Sequence, residues 1–260
     1  MSIDYSGKFI KTSYPSKGVI LVQLSRYWEE LGSTFDKISR DTEIVVAILA
    51  SSLPKAFTAG LDIGEAERSS RPVSDDPSRE GLRLRDTVLV SISRYWAAHG
   101  AAFGLAIDIL CACDIRYAAS DTKFSIKEVD IGMVADIGTL ARLPKITGNE
   151  SLLRELAFTA RPFGVAEASQ LGFVSKVVEG SKDEVLAEAL TLAKFIATKS
   201  PIALLGTKNV LLHSRDNSVQ SNLEYVATWN ASMMQSDDLR QSLRAFTTKR
   251  ETVFRPLPKL

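Results

Sequence analysis

The chain has 260 residues, of which 45% are hydrophobic and 24% are charged, a composition typical of a globular protein that buries its own core. The formal net charge of +1 gives no reason to expect nucleic acid or an anionic membrane surface as a partner. The two cysteines, Cys111 and Cys113, are too few for a structural zinc site and too close together for an ordinary disulfide, so we expect buried free thiols.

Strands and helices alternate along the first part of the chain. Residues 18–24 and 44–50 are apolar, β-branched runs that predict strands, the second of them buried. Between them, residues 27–40 place apolar side chains at helical spacing and predict an amphipathic helix. A turn and a loop are expected over residues 51–63, and the polar residues 66–81 predict a mobile surface loop.

The rest of the chain changes from alternating elements to helices alone. We expect helices over residues 82–93, 104–113, 139–147 and 150–159, and strands over residues 115–118, 123–126 and 173–178. Beyond them the pattern predicts four successive helices over residues 182–198, 201–213, 217–235 and 237–249. This order favours an α/β core followed by a helical C-terminal extension.

Three carboxylates lie among apolar neighbours in the middle of the chain: Asp108, Glu128 and Asp136. Burying an acid costs free energy unless the acid is paired, protonated or used. Apolar surroundings and a second acid nearby both raise the pKa of a carboxyl group. Three such acids in one segment therefore indicate proton transfer by carboxylates. For each acid taken alone, a helix cap or an ion pair is the alternative.

Two segments that contain glycine, residues 55–63 and 99–106, are candidates for contact with a ligand. Glycine lets the backbone approach a ligand closely, and a helix N-terminus offers free N–H groups. One N–H group from each segment could together bind an oxyanion. Neither segment matches a fingerprint for nucleotide phosphates, which disfavours that class of ligand. His99 opens the second segment without an evident partner acid or nucleophile, so we expect a structural role for it.

Four segments carry a recognisable pattern. They are Lys-Ala-Phe-Thr-Ala-Gly-Leu-Asp-Ile at 55–63, His-Gly-Ala-Ala-Phe-Gly-Leu-Ala-Ile-Asp at 99–108, Phe-Ser-Ile-Lys-Glu-Val-Asp-Ile-Gly at 124–132 and Asp-Ile-Gly-Thr-Leu at 136–140. Together they resemble the crotonase superfamily, that is, the enoyl-CoA hydratase/isomerase family. The three acids and their two spacings resemble most the Δ3,5-Δ2,4-dienoyl-CoA isomerase branch, since hydratases typically carry two glutamates at the first two places and no acid at the third.

The resemblance implies an α/β fold, a crotonase-like spiral of ββα units. It implies a spiral core with the active site over residues 1–195, and a helical region over residues 196–260 that builds homotrimers or stacked hexamers. The expected partner is an acyl-CoA substrate whose coenzyme A is part of the substrate, with no separate cofactor or metal. The oxyanion-hole donors of the family fall on the backbone N–H groups of Ala59 and Leu105. The other residues expected to bind substrate are Gly60, Leu61, Asp62 and Ile63.

The same resemblance implies isomerisation of a 3,5-dienoyl-CoA to a 2,4-dienoyl-CoA. Asp136 would take the C2 proton, Glu128 would return a proton at C6, and Asp108 would steady the pair; the first two roles could be exchanged. Hydration of a 2-enoyl-CoA, with Asp108 and Glu128 handling a water, is one alternative. An acyl-CoA-binding scaffold with little activity is a second, because the usual family sequence is altered near Arg26 and Arg94.

The two ends of the chain bear on its location. The N-terminus lacks the apolar segment of a secretory signal, and no stretch is a convincing membrane span. The last three residues, Pro258-Lys259-Leu260, resemble the peroxisomal address Ser-Lys-Leu. We therefore expect a peroxisomal protein that an import receptor reads through its C-terminus. The ending also fits fungal homologues that act in β-oxidation or in a secondary-metabolite (toxin) pathway, and the sequence leaves these two settings open.

Overall fold

The computed structural model describes residues 3–25, 29–58 and 93–257. The strands are β1 (Ile10–Ser16), β2 (Val19–Leu24), β3 (Val46–Ser51), β4 (Ala56–Thr58), β5 (Ser93–Ala98), β6 (Ala101–Phe103), β7 (Ile115–Ala119), β8 (Lys123–Ser125), β9 (Phe163–Gly164) and β10 (Lys176–Val178). The helices are α1 (Glu29–Ser39), α2 (Leu105–Cys111), α3 (Thr139–Ile146), α4 (Glu150–Thr159), α5 (Val165–Gln170), α6 (Lys182–Ile196), α7 (Pro201–Ser214), α8 (Val219–Met233) and α9 (Asp237–Thr248). A 3₁₀ helix, Glu128–Ile131, lies between β8 and α3.

The strands belong to two sheets that the chain supplies in turn. The larger sheet has the order β1-β2-β3-β5-β7-β10, and the smaller sheet has the order β4-β6-β8-β9. The successive pairs β3–β4, β5–β6 and β7–β8 therefore each give one strand to each sheet. Helical segments follow the second and third of these pairs. This repeat is the spiral of ββα turns expected from the sequence, so the predicted fold class is confirmed.

Strand β3 of the larger sheet is buried on both faces, as the apolar run at residues 44–50 predicts. Ala47 and Leu49 of β3 join a cluster that also contains residues of the smaller sheet, such as Phe124. Val46 and Ile48 point the other way and pack under α6. β3 is parallel to both of its neighbours. Since a helix covers one of its faces and the smaller sheet covers the other, it needs apolar residues at every position.

Short strands account for most differences from the sequence analysis. β4, β6 and β9 have two or three residues each, which is too few for the alternation of apolar and polar residues that identifies a strand in the sequence. β1 also lies outside the predicted elements. The strand predicted over residues 173–178 shortens to β10, Lys176–Val178. The predicted helices α2, α3 and α4 are confirmed to within a few residues.

The altered segment near Arg94 forms a strand in the middle of the larger sheet. β5 lies between β3 and β7 and is parallel to both. The helix predicted over residues 82–93 is therefore wrong at Ser93. Residues 82–92, the loop predicted over residues 66–81 and the altered segment near Arg26 lie outside the described residues.

Four helices end the chain as predicted. α6 covers the larger sheet, and α7 contacts α8. No residue of α8 is fully buried, and its apolar residues Val219 and Leu223 are exposed at the surface of the single chain. Within the described ranges, no single helix is long and apolar enough to cross a membrane, although α6 and α7, bent by 111°, pass that test together by length and composition. The division into residues 1–195 and 196–260 stays a prediction.

Candidate active site

Three adjacent parallel strands of the smaller sheet lead toward predicted site residues. β4 leads into Ala59, β6 leads through Gly104 into Leu105, and β8 is followed within one turn by Glu128. β4 pairs with β6 and β6 pairs with β8, both in parallel. The carboxyl ends of parallel strands meet at one edge of a sheet, which is where such sheets commonly bind ligands. The sheet therefore gathers residues that are far apart in the sequence.

Gly100 and His99 hold the two glycine-containing segments together. Gly100 has a φ of +56°, and a Cβ there would overlap the carbonyl group of Lys55, so only glycine fits. His99 is buried, and its Nε2 lies 2.9 Å from the carbonyl oxygen of Leu53. Burial lowers the pKa of His99, which favours the neutral ring. These contacts agree with the structural role expected for His99.

Leu105 begins helix α2, which makes its backbone N–H a candidate donor. The first N–H groups of a helix have no carbonyl partner within the helix. Gly104 precedes Leu105 at φ +57° and ψ −120°, a backbone conformation that favours glycine. The N–H of Gly104 donates to the carbonyl oxygen of Ser125 at 2.9 Å, which ties this turn to β8. The start of α2 is thus fixed at the edge of the smaller sheet.

Asp108 lies one turn into α2 and is only 3% exposed. The backbone N–H and the hydroxyl of Thr139, the first residue of α3, both donate to Asp108 Oδ1 at 2.7 Å. Burial raises the pKa of the Asp108 carboxyl, and the charge of Asp136 adds to the rise. The hydrogen bonds from Thr139 and the charge of Arg142 act in the opposite direction. Asp108 is therefore a buried acid whose charge has partners.

Glu128 begins the 3₁₀ helix and is half-buried. Burial raises the pKa of its carboxyl group, and the charges of Asp108 and Asp136 raise it further, while hydrogen bonds from the backbone of Glu128 and Lys127 act in the opposite direction. Its Oε2 atom is buried and has no hydrogen-bond partner among the described residues. A buried polar atom without a partner is uncommon in a folded protein and is often found where a ligand or a transferred proton belongs.

Asp136 differs from the expectation of three buried acids, because its side chain is exposed in the single chain. Ala135 directly before it is buried, but Met133 and Val134 are exposed, Val134 by 71%, and do not enclose the carboxyl group. Apolar neighbours in sequence predicted burial, but this segment crosses the surface between the 3₁₀ helix and α3. Asp136 nevertheless lies close enough to influence the pKa values of both Asp108 and Glu128. The structure thus brings the three predicted acids together.

Two residues of this site were given no catalytic or binding role in the sequence analysis. Thr139 binds Asp108 directly, and Arg142 lies one turn further along α3 with its guanidinium over Gly138. Gly138 has a φ of +148°, and a Cβ there would overlap Arg142 Nη1, so glycine gives the side chain its room. The Gly-Thr pair at the start of the predicted helix over residues 139–147 was the available signal.

The remaining predicted residues cannot be located in the same way. Ala59, Gly60, Leu61, Asp62 and Ile63 lie outside the described residues. Across residues 3–25, 29–58 and 93–257, no group of three His, Cys, Asp or Glu side chains is arranged to hold a metal ion. Cys111 and Cys113 are buried and form no disulfide, as expected.

Comparison with known proteins connects this arrangement to one family. The profile of the enoyl-CoA hydratase/isomerase family matches residues 24–256. The mitochondrial Δ(3,5)-Δ(2,4)-dienoyl-CoA isomerase of Homo sapiens is 42% identical over 274 aligned positions, which include 95% of this chain and 82% of the human protein. The peroxisomal Δ(3,5)-Δ(2,4)-dienoyl-CoA isomerase of Arabidopsis thaliana is 40% identical over 244 positions, or 89% of this chain and 87% of the plant protein.

The human alignment is longer than the chain itself, which has 260 residues. The human protein therefore carries residues that have no counterpart here. Among solved structures, an enoyl-CoA hydratase from Geobacillus kaustophilus HTA426 superposes with a TM-score of 0.88 at 22% identity, covering 98% of this chain and 99% of the other. At that level of identity the likeness concerns the fold alone.

Proposed function

Because the chain belongs to the enoyl-CoA hydratase/isomerase family, we propose that it isomerises a 3,5-dienoyl-CoA to the 2,4-dienoyl-CoA. In this reaction a proton leaves C2, both double bonds move one position, and a proton arrives at C6. The carbanion formed at C2 conjugates with the thioester, so its charge is shared with the thioester oxygen. The chemistry needs a base, an acid and hydrogen-bond donors for that oxygen.

The observation that carries the proposal is that Glu128, whose buried Oε2 has no hydrogen-bond partner within the described residues, lies near two other carboxylates. Burial raises the pKa of Glu128, and the charges of Asp108 and Asp136 raise it further. A carboxyl group with a raised pKa retains a proton closer to neutral pH and can act as a general acid. This supports Glu128 as the donor at C6, and it leaves Asp136, which is exposed, as the base at C2.

The two acids exchange protonation states during one turnover. Asp136 ends the reaction with the proton from C2, and Glu128 ends it as a carboxylate. Proton exchange with water then restores both groups. Asp108 touches neither transferred proton in this scheme. Its charge, held beside the pair, keeps the pKa of Glu128 high and steadies a water by hydrogen bonding.

The oxyanion donors are proposed to be the backbone N–H groups of Ala59 and Leu105. The pairing of β4 with β6 supports this, because the two strands that lead into Ala59 and Leu105 are neighbours. Gly60, Leu61, Asp62 and Ile63 are proposed to line the same substrate-binding segment. Coenzyme A is part of the substrate, and the scheme uses no separate cofactor or metal.

Parallel assays with a 3,5-dienoyl-CoA and a 2-enoyl-CoA test the proposed function. Formation of the conjugated 2,4-dienoyl thioester is followed by its ultraviolet absorbance, and hydration is followed by loss of the enoyl thioester band. We expect rapid isomerisation of the first substrate. Hydration alone would overturn the proposal in favour of a hydratase, and binding without turnover of either substrate would favour a scaffold.

We infer that the C-terminal helices assemble the chain into a homotrimer, or a hexamer of two trimers. Large apolar side chains of α8 and α9 are exposed in the single chain, among them Leu223, Leu243 and Phe246, the last by 86%. Contiguous apolar surface on a soluble protein commonly marks an interface between proteins. Light scattering coupled to gel filtration tests this inference, and Leu243→Glu should dissociate the assembly. A monomeric parent protein would contradict it.

We further infer import into peroxisomes through Pro258-Lys259-Leu260, which lie outside the described residues. The relatives at 40–42% identity are named as mitochondrial in human and peroxisomal in Arabidopsis thaliana, so either organelle is compatible with the family. A fluorescent protein fused to the N-terminus should give punctate peroxisomal signal that deletion of the last three residues removes. Signal that persists after the deletion would contradict this inference.

A further inference from the structure

Thr139 takes no part in the proposed proton transfers, yet it is the hydrogen-bond partner of Asp108, the most buried of the three acids. The threonine is fully buried and begins α3, which packs against α2. It supplies two donors, its backbone N–H and its hydroxyl, and both bind Asp108 Oδ1 at 2.7 Å. No described hydrogen bond goes to Oδ2. The two oxygens of one carboxyl group are therefore in different surroundings.

We propose that Thr139 is a positioning residue that holds Asp108 through Oδ1 and leaves Oδ2 to serve the reacting pair. This rests on the proposed function for its catalytic meaning. Two donors on one oxygen fix the rotation of the carboxylate plane as well as its position. The N-terminus of α3 adds favourable dipoles at the same oxygen. A carboxylate held in this way keeps its charge in a place that is otherwise expensive for a charge.

The surrounding residues are built to keep Thr139 in place. Gly138 precedes it with a φ of +148°, and this conformation turns the chain into α3 directly below Asp108. The space that a side chain at Gly138 would need is filled by the guanidinium of Arg142. The ionisable groups that interact electrostatically with Asp108 are Glu128, Asp136, Arg142 and the thiol of Cys111. A change at Thr139 leaves all of them present, so its effect can be separated from theirs.

The test is the substitution Thr139→Val, which keeps the shape and the backbone N–H but removes the hydroxyl. The pKa of Asp108, followed by the ¹³C resonance of its carboxyl carbon and assigned with Asp108→Asn, should rise by about one unit. The acidic limb of the kcat–pH profile should move by the same amount, so that kcat falls by up to about tenfold below that pKa with little change in KM. Thr139→Ser, which restores a hydroxyl, should return both values toward those of the parent.

Thr122→Val is the matched control. Thr122 is equally buried, and its hydroxyl donates to a backbone acceptor, the carbonyl oxygen of Ala119 at 2.7 Å. It should lower stability without moving the Asp108 titration or the pH profile. An unchanged titration in folded Thr139→Val, or an equal shift in Thr122→Val, would overturn the proposal. If Thr139→Val does not fold, Thr139→Ala removes the same hydroxyl.

The two proposals fail in different ways. A parent protein that turns over no 3,5-dienoyl-CoA would remove the proposed function, but the carboxyl titration would still decide whether Thr139 positions Asp108. If the protein is an active isomerase but the pKa of Asp108 is the same in the parent and in Thr139→Val, only the positioning role of Thr139 is excluded.

Discussion

Asp108 and Asp136 belong to the same candidate site, but one is buried in the protein and the other is exposed to solvent. Asp108 is 3% exposed and receives two hydrogen bonds from Thr139. Asp136 is exposed and has no hydrogen bond to any described residue. The inner acid is held by packed helices and is poorly placed to exchange protons with solvent. The outer acid is accessible, and Glu128 lies between these extremes with one buried oxygen that has no partner in the described part of the chain.

This difference in surroundings suits Asp108 to holding a fixed charge and Asp136 to transferring a proton. A buried, doubly bonded carboxylate is suited to setting the electrostatic potential, because its charge and orientation are fixed. An accessible carboxylate can lose its proton to water between turnovers. We therefore expect substitutions of Asp136 and Glu128 to remove proton transfer, and substitution of Asp108 to alter stability as much as rate.

The largest effect should come from Asp136→Asn and Glu128→Gln. An amide keeps the shape of the side chain but can neither accept nor donate the transferred proton, so turnover should fall by about 10²–10⁴ with the fold and acyl-CoA binding nearly intact. The matched control is Asp130→Asn, an exposed acid of the same 3₁₀ helix that pairs with Lys127. Steady-state kinetics of the three variants check this, and a rate within a few-fold of the parent would remove that acid from the mechanism.

A somewhat smaller loss, about 10²–10³, is expected when one oxyanion donor is removed by Leu105→Pro. Proline is well tolerated at the first position of a helix, where its missing N–H has no helical partner. Gly104, at ψ −120°, lies in the mirror image of the extended region that normally precedes proline. Ala59→Pro should cost a similar factor through the second donor. A folded Leu105→Pro protein with full activity would exclude this N–H from the oxyanion hole.

Asp108→Asn should have the smallest effect on rate, about tenfold, because Asp108 touches no transferred proton. Its effect on stability has the opposite sign to most core substitutions. The folded pKa of Asp108 is raised, so the unfolded chain releases this proton more readily and the parent loses stability as the pH rises from the ordinary aspartate range through the folded value. The variant should therefore be the more stable protein at pH 7.

Urea denaturation of the parent and of Asp108→Asn at several pH values measures this difference. The gain in stability of the variant should be small near pH 3 and should grow toward neutral pH. A variant that is less stable than the parent at every pH would show that Asp108 is held as a favourable ion pair, and the contrast between the inner and outer acids would be lost.

Much of the fold could be predicted from the sequence because a long strand or helix shows its hydrophobic pattern over many residues. The apolar run of β3 predicted a strand buried on both faces, and the last four helices followed from their period. The three-residue strands β4 and β6 were missed, although they form the edge that gathers the site. Their register comes from pairing with distant strands and from the close approach of Gly100 to Lys55, neither of which has a local signal.

That Asp108, Glu128 and Asp136 form one catalytic site stays a prediction, whereas the structure shows directly how deeply each of them is buried. Motif spacing gave Asp108, Glu128 and Asp136, and the structure brings them together. Apolar neighbours wrongly predicted that Asp136 is buried, because Met133 and Val134 lie on a surface segment and not in the core. The role of Thr139 depends on α3 packing against α2, a contact between residues 31 positions apart, so no window of sequence contains it.

The division of labour between Glu128 and Asp136 is tested most directly by hydrogen exchange in D₂O. The 3,5-dienoyl-CoA is incubated with each protein, and deuterium at C2 of recovered substrate and at C6 of product is located by nuclear magnetic resonance. The parent should place one deuterium at C6. Glu128→Gln should still exchange the C2 hydrogens without forming product, and Asp136→Asn should do neither. C2 exchange that survives in Asp136→Asn and disappears in Glu128→Gln would contradict the account.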